Sequence, residues 1–522
     1  MMRPICHAVL TLTLTLLLPC EAVAQQRDAA ASNLFGIEPG AYPVGFQLLD
    51  EQDPSRLIPG GSGSTAHARP MRIYVWYPAA RFGQPMRFGR YAALADDDVW
   101  PAAVAGGLRD RLKYAGQPLA RSLPPAAFAA LLQRPVLAVE NAAPAKARFP
   151  LIVIGQGIWF ESPLALAALS EYLAGRGFVV ATAPLVGTAS PIVKVDRQDL
   201  ETEVRDMEFV IARARRLPFV NPDTLGVLGF DLGGMAGLLL TMRNPDVDAF
   251  VSLGSDILFD HPSGLPKIAA DYNPRALRVP WLHTTPAFLA TRPTGSKSES
   301  LFDQAAYSER FLLVPDAIAH ADFTSYALVD GRSAVPIYWA ASAPGDAERH
   351  RLVSKYVFNF FAAFLAGNAE GRAFLARTPD QPKGPNITLE HRPAARASIS
   401  YDAFVQAVIA GRATEAIDEL RAAAAVEPNH ILLREFSLDR VVTSLTLTWG
   451  LVREAIPVLE FWVERYPASA RALSILGESH ILLGNNRAAI EVFSNYVTQY
   501  PNDARAQSRL EWLRSRQDGA NR

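Results

Sequence analysis

The residue best placed to do chemistry is an aspartate at the centre of a glycine-rich turn. Residues 225–228 form a short strand-like run, the hexapeptide Gly229-Phe-Asp-Leu-Gly-Gly234 follows, and a helix-like apolar run continues to Met242. The glycines allow a sharp turn and let the helix approach the sheet closely. The pattern therefore predicts a nucleophile elbow with Asp231 at its tip, where serine is the usual residue.

Two further side chains and two backbone groups complete a candidate catalytic set. Asp256 follows the next predicted strand, and His320 lies in the loop after the last one. A hydrolytic site of this kind takes a nucleophile, an acid and a histidine in that chain order. Histidine transfers protons near neutral pH, and a carboxylate fixes its tautomer. We expect the backbone N–H groups of Ile158 and Leu232 to form the oxyanion hole.

Each member of this set has a structural alternative. The turn at 229–234 is also compatible with an ordinary strand-to-helix connection, His320 with a loop histidine bonded to Asp322, and Asp256 with a helix N-cap after Ser255. His283, at a strand end, is assigned a structural role. The remaining histidines outside the N-terminal leader are scattered without metal-ligand spacing such as H-E-x-x-H, so we predict no metal: His67, His261, His350, His391, His430 and His480.

Alternating strands and helices must position these residues. Apolar strand-like runs and amphipathic helical runs alternate from residue 149 to 365, with Asp199 at the start of one acidic-capped helix. This alternation predicts an α/β fold with a doubly wound, mostly parallel sheet, whose ligands bind at the carboxyl ends of strands. Residues 40–46 and 69–78 flank a Gly/Ser turn and predict an antiparallel hairpin. Residues 90–145 suit either a cap over the cleft or a peripheral helix pair.

A repeat follows a proline-rich segment, residues 376–397, that reads as a linker. Glycine, alanine, a large apolar residue and proline recur at matching offsets in three units: Gly411, Ala416, Leu420 and Pro428; Gly450, Ala455, Leu459 and Pro467; Gly484, Ala489, Phe493 and Pro501. The last two prolines are 34 residues apart, which is tetratricopeptide spacing. We predict an all-α repeat domain over residues 398–515 that presents a surface to a protein partner.

Several segments resemble one branch of the α/β-hydrolases, the platelet-activating-factor acetylhydrolases and dienelactone-hydrolase-like esterases. The resemblance covers residues 35–375 and rests on the elbow and these segments: Gly40-Ala-Tyr-Pro-Val-Gly45, Val75-Trp-Tyr-Pro-Ala79, Pro150-Leu-Ile-Val-Ile-Gly-Gln-Gly157, Glu171-Tyr-Leu-Ala-Gly-Arg-Gly177 and His320-Ala-Asp-Phe323. It implies cleavage of small esters by an elbow serine, an acid and the histidine, without metal or organic cofactor. Two positions depart from that pattern. Asp231 replaces the serine, and Gly254 stands where the acid is usual, two residues before Asp256.

The aspartate changes the chemistry that the elbow supports. A carboxylate that attacks an ester carbonyl forms an anhydride, whereas one that attacks an alkyl carbon forms an ester that activated water then hydrolyses. The elbow is also similar to that of epoxide hydrolases and haloalkane dehalogenases, which work in this way. Leu232 stands where those families often have tryptophan, and their His-Gly-x-Pro loop is absent.

The N-terminus predicts export to the periplasm or the outside. Arg3, an apolar run over residues 8–18 and Ala22-Val-Ala24 form a signal peptide, residues 1–24, which contains both cysteines, Cys6 and Cys20. A lipid anchor on Cys20 is the alternative, although Pro19 before it suits a lipobox poorly. The run is too short to span a bilayer, and a net charge of −1 gives no indication of a nucleic-acid partner.

Three functions remain open at this stage. The first is an exported hydrolase that acts on a small-molecule substrate through Asp231. The second is a catalytically inactive relative whose cleft binds a ligand. The third is an interaction protein in which the repeats do the work and the hydrolase-like domain supports them.

Overall fold

The structure is a computed structural model that describes residues 33–58, 66–97, 124–158, 162–189, 193–294, 298–329, 345–377, 387–394, 399–426 and 429–520. The predicted signal peptide, the predicted turn at 60–64, residues 98–123 of the predicted cap and Pro428 lie outside this set. The chain forms two compact units, an α/β unit up to residue 393 and a helical unit from residue 394, apart from residues 242–245 and 273–278, which belong to the second. No helix of the described residues is long and apolar enough to cross a membrane.

The α/β unit is built on a sheet of ten strands in its described part, in the order β10-β9-β8-β7-β6-β4-β5-β2-β1-β3. The strands are β1 (Val44–Ile58), β2 (His67–Pro78), β3 (Ala138–Glu140), β4 (Phe149–Gly155), β5 (Val179–Thr182), β6 (Val220–Phe230), β7 (Ala249–Leu253), β8 (Trp281–Thr284), β9 (Arg310–Pro315) and β10 (Ile387–Arg392). Neighbours from β5 to β9 pair in parallel, and β1 pairs with β2 as an antiparallel hairpin. The predicted α/β fold and its mostly parallel sheet are confirmed.

Helices pack against the sheet because the central strands are apolar on both faces. All residues of β7 are buried, as expected of a parallel strand covered on both sides. The helices of this unit are α1 (Phe88–Asp97), α2 (Pro125–Leu132), α3 (Ala167–Ala174), α4 (Arg197–Ala214), α5 (Leu232–Arg243), α6 (Ala287–Ala290), α7 (Leu301–Gln304), α8 (Asp346–Leu365) and α9 (Ala369–Ala376). The strand order brings the ends of β4, β6, β7 and β9, which carry the predicted site residues, to one edge of the sheet.

The predicted linker, residues 376–397, requires a correction. Residues 387–392 within it form β10, an edge strand antiparallel to β9. Ile387 is buried, Leu389 packs against the core, and the ring of His391 stacks on Phe311 at a centroid distance of 4.4 Å. These residues alternate with polar ones, so the strand has the period of a half-buried sheet edge. The prolines on both sides concealed that alternation.

The described part of segment 90–145 is attached to the edge of the sheet. Strand β3 pairs in parallel with β1, and Tyr91 of α1 accepts the indole N–H of Trp76 at 2.7 Å and donates to Glu171 at 2.7 Å. The Glu171 carboxylate also accepts the N–H of Leu137 at 2.9 Å. This buried chain of hydrogen bonds fixes α1 and the stretch before β3 to the sheet.

The helical unit contains three successive helix pairs and a final helix: α10 (Tyr401–Ile409), α11 (Ala413–Val426), α12 (Glu435–Thr443, continued by a π-helical turn, Ser444–Thr448), α13 (Val452–Arg465), α14 (Ala470–Leu482), α15 (Asn486–Gln499) and α16 (Ala504–Ala520). The repeated glycines connect the two helices of each pair with φ between 69° and 76°, and the repeated alanines are buried. The name tetratricopeptide stays a prediction.

Candidate active site

Asp231 lies at the sharp turn between β6 and α5. Its φ is +52°, a left-handed conformation that costs a residue with a side chain about 1–2 kcal/mol, although aspartate tolerates it better than most. A Cβ on Gly229 would lie 2.1 Å from the carbonyl oxygen of Gly233, and a Cβ on Gly233 would lie 2.2 Å from that of Gly155. The glycines are therefore required by close backbone packing around the turn.

Backbone contacts hold the turn in place from the neighbouring strand. The N–H of Asp231 donates to the carbonyl of Leu253 at 3.1 Å, and its carbonyl accepts from the hydroxyl of Ser255 at 2.7 Å and from the N–H of Gly234 at 3.0 Å. The strained residue is thus fixed through both its N–H and its carbonyl, as strained residues usually are.

The two carboxylate oxygens of Asp231 have different neighbours. Oδ2 accepts the N–H of Ile158 at 2.9 Å, and Oδ1 lies 3.8 Å from Nε2 of His320. The side chain of Asp231 is 27% exposed and that of His320 16% exposed, so both are reachable but partly shielded. Three predicted site residues, Asp231, His320 and Ile158, therefore lie together.

The loop after β9 places His320 against the elbow. Its ring packs on Phe230 at a centroid distance of 4.8 Å, and the Asp322 carboxylate holds the loop by accepting the N–H of Ala319 at 2.8 Å. Burial lowers the pKa of His320 below its usual range, while the Asp231 carboxylate acts in the opposite direction. A lowered pKa favours the neutral ring, which is the form of histidine that accepts a proton.

The predicted acid, Asp256, lies in the loop after β7. Burial raises the pKa of its carboxyl, His261 acts in the opposite direction, and the Asp231 carboxylate raises it further. Gly254 lies close to the histidine, since a Cβ there would be 3.2 Å from Nδ1 of His320. The role of Asp256 stays a prediction.

The predicted oxyanion donors sit on two elements. Ile158 is two residues past Gln156 in the loop after β4, and its N–H bonds the Asp231 side chain itself. Leu232 is the first residue of α5, directly after Asp231, and its side chain is buried. His283, assigned a structural role, lies in the core. Its Nδ1 is 2.7 Å from the Ser252 hydroxyl, and burial lowers its pKa to about 3.

A buried polar network behind the Ile158 loop was not predicted from the sequence. Glu203 of α4 is 3% exposed, and burial raises the pKa of Glu203 to about 8. The side-chain amide of Gln156 donates to the Thr182 hydroxyl at 2.9 Å. The signal is a set of acidic residues on an otherwise apolar face of α4, a pattern that also suits an amphipathic helix with acidic residues near its N-terminus.

Comparisons with known proteins add little about function. No protein-family model matches the chain, and no curated protein does. Among solved structures the chain is similar to a ferulic acid esterase from Streptomyces cinnamoneus, with a TM-score of 0.48 and 22% identity over 67% of this chain and 96% of the esterase chain. A similarity of this size leaves the function open. The strand order and the sharp turn after β6 give the first unit the α/β-hydrolase fold, with Asp231 at that turn.

Proposed function

We propose that the α/β unit is a hydrolase in which Asp231 attacks an alkyl carbon, with an epoxide as the substrate class. One observation carries the proposal: a strained aspartate divides its carboxylate between a backbone N–H at 2.9 Å and the Nε2 atom of a histidine at 3.8 Å. In this arrangement Oδ1 is the nucleophile, while the N–H of Ile158 holds Oδ2.

The reaction has two balanced steps. Oδ1 of Asp231 attacks a ring carbon of the epoxide, the carbon–oxygen bond of the ring breaks, and the released alkoxide takes a proton from water. Water then attacks Cγ of the resulting ester while His320 accepts its proton, and the N–H of Ile158 stabilises the negative charge on Oδ2. The ester bond breaks, the second alkoxide takes the proton from His320, and a diol leaves. The hydroxide left by the first step takes the proton of the resulting Asp231 carboxylic acid, which restores the carboxylate and one water.

Acyl transfer fits this site less well. A carboxylate that attacks an ester carbonyl forms a reactive anhydride, and the N–H of Ile158 that an acyl oxyanion would need is already bonded to Asp231. In the alkyl reaction the same N–H serves the intermediate that forms on Asp231 itself.

Single-turnover labelling tests the proposal directly. Excess enzyme reacts with a panel of aryl and alkyl epoxides in heavy-oxygen water, and the peptide that contains Asp231 is then weighed by mass spectrometry. Because water attacks Cγ, we expect the heavy oxygen in Asp231 rather than in the diol. In His320→Gln the alkyl-enzyme ester should accumulate and appear as a mass increase of the peptide. In Asp231→Ala we expect neither the heavy-oxygen label nor this mass increase. Turnover that places the label in the diol contradicts the proposal.

A second candidate is a catalytically inactive protein whose cleft binds a ligand. It is favoured by aspartate in place of the elbow serine and by the N–H of Ile158, which the Asp231 side chain already occupies. Nitrophenyl esters distinguish the two. Esterase activity that appears only in Asp231→Ser, with no epoxide turnover in the wild type, would identify a decayed esterase.

We also propose that the protein is exported and that its repeats bind a protein partner. The leader at residues 1–24 supports export, and its fusion to a reporter that is active only outside the cytoplasm tests it. Three helix pairs with matched glycines and buried alanines support tetratricopeptide repeats, which present a concave surface to peptides or proteins.

A further inference from the structure

A fully buried aspartate follows His320 by two residues. Asp322 is 0% exposed and belongs to the same short 3₁₀ turn as the histidine, His320–Phe323. Aspartate is almost never this deeply buried unless it is hydrogen-bonded or paired. The contacts of Asp322 therefore indicate what its side chain does in this loop.

Two hydrogen bonds between Ala319 and Asp322 close the backbone around His320. Oδ2 of Asp322 accepts the N–H of Ala319 at 2.8 Å, and the N–H of Asp322 donates to the carbonyl of Ala319 at 2.9 Å. The second bond alone is the weak closure of a 3₁₀ turn, and the carboxylate adds another. Because only His320 and Ala321 lie between the bonded residues, the two bonds restrict the backbone dihedrals that direct the imidazole.

Helix α8 fixes this closed turn to the body of the α/β unit. Nδ1 of His350 donates to the carbonyl of Asp322 at 2.9 Å, and Nε of Arg349 lies 3.8 Å from Oδ2 of Asp322. Arg349 also forms an ion pair with Asp346. All three side chains of α8 are buried. Asp322 is therefore held through both its carboxylate and its carbonyl, and the turn is unable to tilt without breaking these contacts.

The imidazole of His320 extends from the closed turn onto the elbow. It packs on Phe230 at a centroid distance of 4.8 Å, and its Nε2 lies 3.8 Å from Oδ1 of Asp231. Packing on a flat ring limits the tilt of the imidazole but leaves it free to slide. The distance between Nε2 and Asp231 is therefore set by the backbone of the turn. A displacement of about 1 Å in a catalytic group is enough to cost up to a hundredfold in rate.

We propose that Asp322 is a positioning residue: its carboxylate closes the turn 319–322 and thereby holds the imidazole of His320 at Asp231. The consequence for catalysis rests on the proposed function, whereas the effect on the histidine does not. In the proposed reaction His320 acts only when water attacks the ester. Asp322 therefore governs ester hydrolysis and leaves the attack of Asp231 on the epoxide unchanged.

Two substitutions of Asp322 separate positioning from stability. Asp322→Ala removes the acceptor for the N–H of Ala319, whereas Asp322→Asn keeps an oxygen acceptor at the same place. We expect Asp322→Ala to slow ester hydrolysis about tenfold, the effect of one lost hydrogen bond to a charged group, so that the alkyl-enzyme ester accumulates as in His320→Gln. Ester formation should stay within about twofold of the wild type, and Asp322→Asn should restore hydrolysis. Single-turnover quenching followed by mass spectrometry measures both rates.

The histidine ring provides a second measurement that does not require turnover. Ring signals of His320 are recorded by nuclear magnetic resonance in protein labelled with heavy nitrogen in histidine, and are assigned by their loss in His320→Gln. In Asp322→Ala these signals should shift, and hydrogen exchange at the amide of Ala319 should become about tenfold faster. Asp322→Asn should keep both close to the wild type, because its amide oxygen still accepts the N–H.

Asp248→Ala is the matched control. The carboxylate of Asp248 also accepts a backbone N–H at 2.8 Å, that of Leu225, but Asp248 directly precedes β7, at the edge of the sheet opposite the elbow. This variant should lower stability without changing the ring signals of His320 or either step of the reaction.

The outcomes separate the two proposals. Unshifted ring signals of His320 in Asp322→Ala, or equal slowing of ester formation and ester hydrolysis, overturn the positioning role. If Asp322→Ala does not fold, Asp322→Ser takes its place, since a serine hydroxyl is too short to reach the N–H of Ala319 but leaves a polar group facing Arg349. Ring signals that shift as described in a protein without epoxide turnover support the role of Asp322 and contradict the proposed function alone.

Discussion

Glycine serves different physical purposes in the two units. At the elbow, Cβ atoms on Gly229 and Gly233 would lie 2.1 and 2.2 Å from backbone oxygen atoms. In the helical unit, Gly411, Gly450 and Gly484 have φ of 76°, 69° and 74°, and a Cβ on any of them would meet nothing within 4 Å. The first set is required because two backbones touch, and the second because the chain must turn with a left-handed residue.

The elbow glycines therefore shape the candidate site, whereas the glycines of the helical unit affect only the local backbone. Close backbone packing at the elbow sets the position of Ile158 relative to Asp231, so an added methyl group must move the site. In a helix connection, glycine is preferred only because the backbone of that residue is left-handed. Asparagine is the next best residue there. The same residue type should therefore give very different mutational effects in the two units.

The largest effect is expected for Gly233→Ala. Its methyl group would lie 2.2 Å from the Gly155 carbonyl and 2.7 Å from the nitrogen of Gln156, and neither backbone group is able to rotate away. We expect a loss of about 3 kcal/mol in unfolding free energy and a loss of ester hydrolysis of roughly a hundredfold or more, as when an oxyanion donor is removed. Denaturant unfolding and single-turnover kinetics measure both. Gly450→Ala is the matched control, and equal losses in the two variants would contradict the comparison.

The elbow illustrates how much of the site was predictable. Asp231, its tight turn and the proximity of His320 followed from glycine spacing and from the order of strands, because parallel strands place their carboxyl ends at one edge. The contact between Ile158 and the Asp231 side chain did not follow, since an oxyanion donor was expected to be open to substrate. Residue spacing predicts where Asp231 lies, but not which backbone N–H its carboxylate accepts.

Two features of the fold were beyond sequence reasoning for a different reason. Strand β10 depends on pairing with β9, a contact between distant residues that the prolines around it do not reveal. The burial of Glu203 depends on how α4 packs in the assembled unit. Local pattern predicts elements well where burial is periodic, whereas single buried polar contacts depend on the assembled fold.

The two units also differ in how the fold shifts the pKa of an acidic side chain. The α/β unit buries Glu203, whose pKa rises from 4.5 to about 8 in the fold, whereas the N–H of Ala506 in the helical unit lowers the pKa of Asp503. An acid with a raised folded pKa contributes stability below pH 4.5 that is lost as pH rises through about 8. We expect Glu203→Gln to be more stable than the wild type at pH 9, by a few kcal/mol, and less different at pH 6. Urea midpoints at both pH values measure it, and a pH-independent difference would contradict the assignment.

Gly477→Ala tests an exception inside the helical unit. Gly477 lies within α14, and a Cβ there would be 2.5 Å from the ring of Phe493, so this glycine is required by packing, as at the elbow. Unlike a backbone group, a phenylalanine ring is able to shift, and alanine is the better helix former by about 1 kcal/mol. We therefore expect a net loss of only about 1–2 kcal/mol. Thermal unfolding measures the loss. A loss as large as that of Gly233→Ala would show that side-chain and backbone contacts are equally rigid.

The smallest effect is expected at Gly450, where only the backbone conformation matters. With φ at 69° and open space around the Cβ position, Gly450→Ala should lose about 1 kcal/mol of unfolding free energy from strain alone. Gly450→Asn should lose less, because asparagine adopts left-handed conformations more readily. Neither variant should alter epoxide turnover or the rate of hydrogen exchange at the backbone amide of Ile158. Denaturant unfolding of the pair, measured together, sharpens the comparison: a clear ranking of glycine above asparagine above alanine identifies a conformational requirement, whereas equal losses for the two substitutions would point to a contact with the added side chain.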